Sequence, residues 1–273
     1  MLKSLMTIIL LLLQMMTIVE SSGVIVAENA TGDHALKLRE SSAGAEPQVS
    51  KPELASQWYT FEKQATRGDA GAQFHLGKLF FQGKGVVRGV SMAKEWWEKA
   101  AKQDHANAQY YLAGLYRDGD HVERSYSKAV YWYEKAAAQG HAGALYSLGV
   151  INDHGHDDMK ENDALAIEWY KKAAAKNHIG AIYNLGTMYR DGQGVEQDYK
   201  LAIEWFKKAA EHDHAGAMNN LGEMYYRGHG VKRDNQEAEA WFSKSAEQEN
   251  ERAWDNLGVM YRNGEAEVPA PIS

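Results

Sequence analysis

The sequence predicts an all-α chain: a solenoid of stacked helical hairpins, about five units of 36 residues with half a unit at either end. Three observations carry this. Ala72, Ala108, Ala144, Ala181, Ala217 and Ala253 recur at spacings of 36, 36, 37, 36 and 36, and a leucine stands four residues after each, from Leu76 to Leu257. Trp96, Trp132, Trp169, Trp205 and Trp241 form a second column, each followed by an aromatic residue: Trp97, Tyr133, Tyr170, Phe206 and Phe242. Gly83, Gly119, Gly155, Gly192, Gly228 and Gly264 form a third. A fixed period held over this length marks units that bury their apolar faces only against one another.

Each hairpin reads as two helices. In the fourth, Ala181, Ile182, Leu185, Met188 and Tyr189 share one face, and Ala202, Trp205, Phe206 and Ala209 share another, at the 3.6-residue period. The column of Gly192 falls where the first helix ends, a place that favours the left-handed backbone. Gly89, Ser125, Asn162, Asp198 and Asp234 then open the second helices, and all are accepted N-cap types. The Gly192-Gln193-Gly194 loop invites a phosphate-binding reading. Such a loop follows a strand and opens a helix. This one follows a helix and recurs as Gly83-Lys84-Gly85 and Gly228-His229-Gly230, so it reads as a turn between helices.

The ends differ from the repeat. Lys3 precedes an apolar run from Leu5 to Val19, and small residues follow up to Ala27. Residues 1–27 read as a secretory signal peptide. An uncleaved anchor is the alternative, but fifteen helical residues reach about 22 Å, short of the roughly 30 Å hydrocarbon core. Residues 28–52 read as a flexible linker, 53–264 as the solenoid and 265–273 as a disordered tail. After signal cleavage no stable membrane insertion is expected. The net charge of -7, without a basic block, argues against a nucleic-acid partner. The absence of cysteine excludes disulfides, thiolate nucleophiles and cysteine zinc sites.

Candidate chemistry is sparse. His105, His141, His178 and His214 share one column, but Asp69 and Asn250 occupy it in the terminal units, which marks it as a capping position. First helices of neighbouring units lie roughly 8–10 Å apart, too far for one ion to collect the column. His154, His156, Asp157 and Asp158 cluster where the repeat breaks, and are the candidate metal ligands. A solvated loop is the alternative, and no cofactor is expected. Ser91-Met92-Ala93-Lys94 and Ser125-Tyr126-Ser127-Lys128 match the Ser-x-x-Lys pattern of penicillin-recognising enzymes. Ser-Asp-Asn and Lys-Thr-Gly, which complete that pattern, do not occur.

The pattern A-x-x-x-L-G-x-x-Y-x-x-G-x-G-V followed by A-x-x-W-[YF]-x-K-A-A resembles the Sel-1-like repeat family, over about residues 57–264. The second and third units depart from it, with Asp120-His121-Val122 and His156-Asp157-Asp158 in the turn. The resemblance implies a right-handed α/α superhelical solenoid akin to tetratricopeptide repeats, and a non-catalytic scaffold for other proteins.

Packing leaves the far side of each first helix free. Phe74, Tyr110, Tyr146 and Tyr183 recur there, with Arg117, Arg190, Tyr226 and Arg262 in a second column and Thr187 between them. Tyrosine and arginine are enriched at binding hot spots. Asn184, Asn220 and Asn256 flank them in a column that resembles one used by tetratricopeptide grooves for peptide backbones or carboxylates. These residues are the candidate groove for a protein or peptide ligand; alternatively, the tyrosines fill gaps between neighbouring first helices. The leading expectation is an exported, non-enzymatic scaffold or adaptor in a bacterial periplasm, or secreted, that regulates an envelope or signalling complex. The rivals are a hydrolase of cell-wall or β-lactam substrates and a structural component of an envelope or secretion machine. Oligomeric state is not legible.

Overall fold

Each column of the repeat becomes a fixed place in a helical hairpin. The computed structural model describes residues 52–156 and 159–266. The expected signal peptide, nearly all of the linker and most of the tail lie outside them. Twelve helices are described: α1 (Pro52–Thr66), α2 (Ala70–Gln82), α3 (Val90–Ala101), α4 (Ala106–Asp118), α5 (Tyr126–Ala138), α6 (Ala142–His154), α7 (Asp163–Ala174), α8 (Ile179–Asp191), α9 (Tyr199–Ala210), α10 (Ala215–Arg227), α11 (Asn235–Glu247) and α12 (Glu251–Arg262). There is no strand among the described residues beyond one isolated bridge, His156 with Met159. No described helix is long and apolar enough to cross a membrane.

The chain divides into two bodies, residues 1–124 with α1–α4 and residues 125–273 with α5–α12. Helices pack in chain order within each: α1 on α2, α2 on α3 and α3 on α4 in the first, and α5 through α12 successively in the second, where α6 also touches α8. The leucine column is the spine of the packing, with Leu148, Leu185, Leu221 and Leu257 at most 2% exposed.

Glycine sets the distance between the helices of a hairpin. The second aromatic of the Trp-aromatic pair sits on a glycine of its own first helix: Trp97 on Gly77, Tyr170 on Gly149, Phe206 on Gly186 and Phe242 on Gly222. A Cβ on Gly77, Gly186 or Gly222 would lie 2.5 Å from a ring atom, so any larger residue forces the helices apart. The five aromatics of this column are 0–1% exposed. The preceding tryptophans carry a lysine three residues later over the ring face, as with Lys172 at 4.2 Å from Trp169 and Lys208 at 4.5 Å from Trp205.

The turns behave as helix ends. Gly83, Gly119, Gly192 and Gly228 are left-handed, at φ 64° to 71°. Gly194 and Gly230 bring the turn onto the first residue of the second helix one hairpin earlier, Asp163 and Tyr199 respectively. The glycine loop is thus packed against protein, not shaped around a phosphate. In the second unit His121 takes the place of the second glycine and itself adopts φ 56°. In the third, Gly155 has φ 57° with ψ 159°, and the turn leaves the common path there.

Candidate functional site

Helix entry decides where the histidine column points. His105, His141, His178 and His214 each accept, on Nδ1, the backbone N–H of the alanine three residues on, at 3.2, 3.1, 3.3 and 3.1 Å. They are N-caps, as Asp69 and Asn250 are. An Nδ1 that accepts belongs to a neutral ring whose proton is on Nε2. Burial holds all four below the usual histidine range, with the neighbouring His75 adding to the effect at His105 and His178 at His141.

The free faces of the His105, His178 and His214 rings are covered by the aromatic column proposed to line a groove. In the second body Tyr146 stacks on His178, with centroids 4.3 Å apart and planes at 18°, and Tyr183 stacks on His214 at 4.4 Å and 23°. The same tyrosines tilt against Tyr170 and Phe206. In the first body Phe74 stacks on His105 at 4.8 Å and meets Tyr111 and His75 as well. Phe74 is only 6% exposed, so its assignment to an open wall is corrected: three rings enclose it. Tyr146 and Tyr183 join one repeat to the next while remaining partly exposed. Tyr110 is also partly buried and meets Tyr111 edge-on at 5.6 Å.

The arginines are held in place by their neighbours. Arg190 donates from Nε and Nη2 to Asp191 at 2.7 Å each, and Arg117 makes the same fork to Asp118 at 2.6 and 3.0 Å. The hydrogen bond that Arg190 donates to Asp191 raises the guanidinium further, and Tyr183 and Glu223 add smaller attractions. Arg262 is exposed. Thr187 gives its hydroxyl to the Asn184 carbonyl at 2.8 Å. Tyr226 donates to Glu265 at 2.6 Å, while Arg233 lies over its ring and also reaches Glu265. Glu265, assigned to a disordered tail, is therefore tied to the last complete hairpin.

The asparagine column separates by partner. Asn184 lies by the Tyr170 hydroxyl and acts to lower that phenol. That hydroxyl donates to the buried Asp153 at 3.0 Å, and burial followed by Asp153 pushes the phenol above its ordinary range. One hairpin later the counterpart of Tyr170 is Phe206, which offers no oxygen. There Asn220 is 6% exposed, and its Nδ2 has no hydrogen-bond partner. Asn256 donates instead to Asn219 at 2.9 Å, and Asn219 donates to Glu223 at 3.1 Å. Asn219 and Glu223 were not among the expected site residues. A sequence signal for them exists: Asn219 stands where the tyrosine column ends, and the matching cap changes from histidine to Asn250.

Of the metal candidates, only His154 and His156 lie among the described residues. His156 stacks on Tyr126 at 4.4 Å, as His229 does on Tyr199, so its ring serves the packing of turns. His154 is exposed, with Nδ1 3.9 Å from Asp153. Asp157 and Asp158 lie outside the described residues, among which no group of three His, Asp or Glu could hold an ion. Both serines of the Ser-x-x-Lys matches sit at helix starts: Ser125 caps α5 and Ser91 lies in the first turn of α3.

Comparison with known proteins follows the same lines. The Sel1 repeat family model matches residues 70–105, 106–141, 142–178, 179–214 and 215–250, leaving only the terminal half-units. Among solved structures the chain is similar to a protective antigen present in uropathogenic Escherichia coli strains displaying an SLR fold, with 29% identity and a TM-score of 0.73. That match covers 86% of this chain and 53% of the other, so the chain spans about half the length of that protein. It is also similar to a Sel1 repeat protein from Oxalobacter formigenes, with 28% identity and a TM-score of 0.69, over 76% of this chain and 90% of that one. A comparison with curated proteins finds no match.

Proposed function

This chain belongs to the Sel1 repeat family, and from that premise we propose that it is an exported, non-catalytic adaptor that captures an extended peptide or protein segment. Sel1 repeat proteins are typically scaffolds for protein interaction. The binding row proposed here runs along the second body through Tyr183, Arg190, Asn220, Glu223 and Asn256. The observation that carries it is the Asn220 amide, a buried donor without a partner beside partly exposed aromatic and charged side chains. A buried unsatisfied donor costs roughly 1–3 kcal/mol, and a ligand carbonyl or carboxylate would recover that once the Asn220 side chain, only 6% exposed, turns out toward it. Tyr183 and Arg190, already fixed by stacking and by the Asp191 fork, would lose little freedom on binding.

Export is supported by the apolar run from Leu5 to Val19 and by the likeness to a protein described as a protective antigen. A bacterial envelope partner fits both. The net charge of -7 disfavours nucleic acid.

Selection of binders from a random peptide library on the folded chain tests this reading. Calorimetry would then compare the selected peptides on the wild type and on Asn220→Leu. Loss of one buried hydrogen bond predicts about tenfold weaker binding by the variant, with helix content unchanged. Equal affinity for the two proteins, or no binder at all, would refute the row as the site.

A further inference from the structure

The two ends of the chain are unlike halves of one repeat. In a complete hairpin the column aromatic is enclosed from both sides. Trp97 rests on Gly77 and Phe81 of its own first helix and meets Tyr111 of the next, with centroids 5.1 Å apart. Tyr170 rests on Gly149 of its own first helix and faces Asn184 of the next.

The described residues start with a second-type helix, α1, and end with a first-type helix, α12. Their register is readable. The aromatic precedes the next cap by eight residues in Trp97–His105, Tyr170–His178, Phe206–His214 and Phe242–Asn250, and the residue at that distance before Asp69 is Phe61. Phe61 stacks on His75 of α2, the counterpart of Tyr111, at 4.9 Å. Among the described residues no first helix packs on its other side, and it stays partly exposed where its counterparts are sealed.

The opposite defect lies in α12. Gly258 continues the series Gly186 and Gly222, yet a Cβ there would meet nothing nearer than Arg262 Nη1 at 3.5 Å. Glycine inside a helix lowers its stability, and among the described residues no ring uses the space. Trp254, beside it, is 60% exposed, whereas its counterparts Leu145, Ile182 and Met218 are 4–5% exposed. Val259 is exposed as well.

We propose that these ends fit each other between copies: α12 of one chain and α1 of another form a complete repeat, with Phe61 seated on Gly258 and Trp254 covered. The joint continues the helix packing already present between every pair of neighbours, and its parts are in register with that packing. Because the contact joins two different surfaces, it is head to tail, and association grows with concentration.

The cysteine-free chain makes the test direct. Full-length Gly258→Cys and Phe61→Cys variants would be treated with a short bis-maleimide, singly and mixed. A crosslinked dimer in the mixture and in neither variant alone is expected. In sedimentation equilibrium the wild type should exceed the monomer mass, and Gly258→Leu should return to it with an unchanged or higher Tm. A wild type that remains monomeric, as it would if the segment before residue 52 covered α12, overturns the proposal. So does a crosslink in Gly258→Cys alone, or a Gly258→Leu variant that still associates.

Discussion

Acid should loosen this protein through its helix caps. At neutral pH, His105, His141, His178 and His214 each accept a backbone N–H on Nδ1, which requires the neutral ring. Burial lowers each below the ordinary value near 6.5. The unfolded chain therefore takes up these protons at higher pH than the folded one. Stability is full above pH about 6.5 and falls as pH drops through that value, until the folded rings also titrate. Protonation removes the acceptor and sets a positive charge at the wrong end of the helix dipole. A cap contributes about 1 kcal/mol, so four caps amount to about 4 kcal/mol, reduced where solvent screens the rings. That is a large share of a typical net stability of roughly 5–15 kcal/mol. Urea unfolding followed by circular dichroism at pH about 7.5 and about 5 would measure the loss. The control is the fourfold His→Asn variant at these positions, because Asn250 already caps α12 without titrating. The wild type should lose about 4 kcal/mol more than the variant over this range. Equal losses would show that the caps do not carry the pH response.

Other perturbations probe the packing. Gly186→Ala gains helix propensity but drives a Cβ to 2.5 Å from Phe206, so urea unfolding should show a net loss of about 1–3 kcal/mol. Leu185→Ala, at a side chain with 0% exposure, should cost about 2–5 kcal/mol by the same assay. Asn220→Leu should raise stability by about 1 kcal/mol while weakening peptide capture, since it removes a buried donor that nothing in the chain satisfies.

Much of this was legible because a repeat reads its own columns several times over. The caps, the turn glycines and the apolar spine each recur with the same chemistry, so local rules for helix ends and amphipathic faces assign them. Contacts between columns are harder to read. Phe74 looks like a wall residue when it is aligned with Tyr146 and Tyr183; the His105 and Tyr111 rings that enclose it come from the next hairpin, and their approach depends on how hairpins stack. The unpaired amide of Asn220 follows from two columns at once, the asparagine row and the change from Tyr170 to Phe206. It becomes visible only when those columns are known to touch. The third turn was flagged by its loss of the second glycine, but the extended ψ of Gly155 could not be read from that loss.

The most direct measurement of the account is made on the Asn220 side-chain amide itself. In a sample with 15N-labelled asparagine, saturation with a selected peptide should move the Asn220 Nδ2 protons downfield and slow their exchange with water. The Asn184 amide, which faces the Tyr170 hydroxyl, should change little. A peptide that binds tightly and leaves the Asn220 amide unmoved would contradict the proposed site.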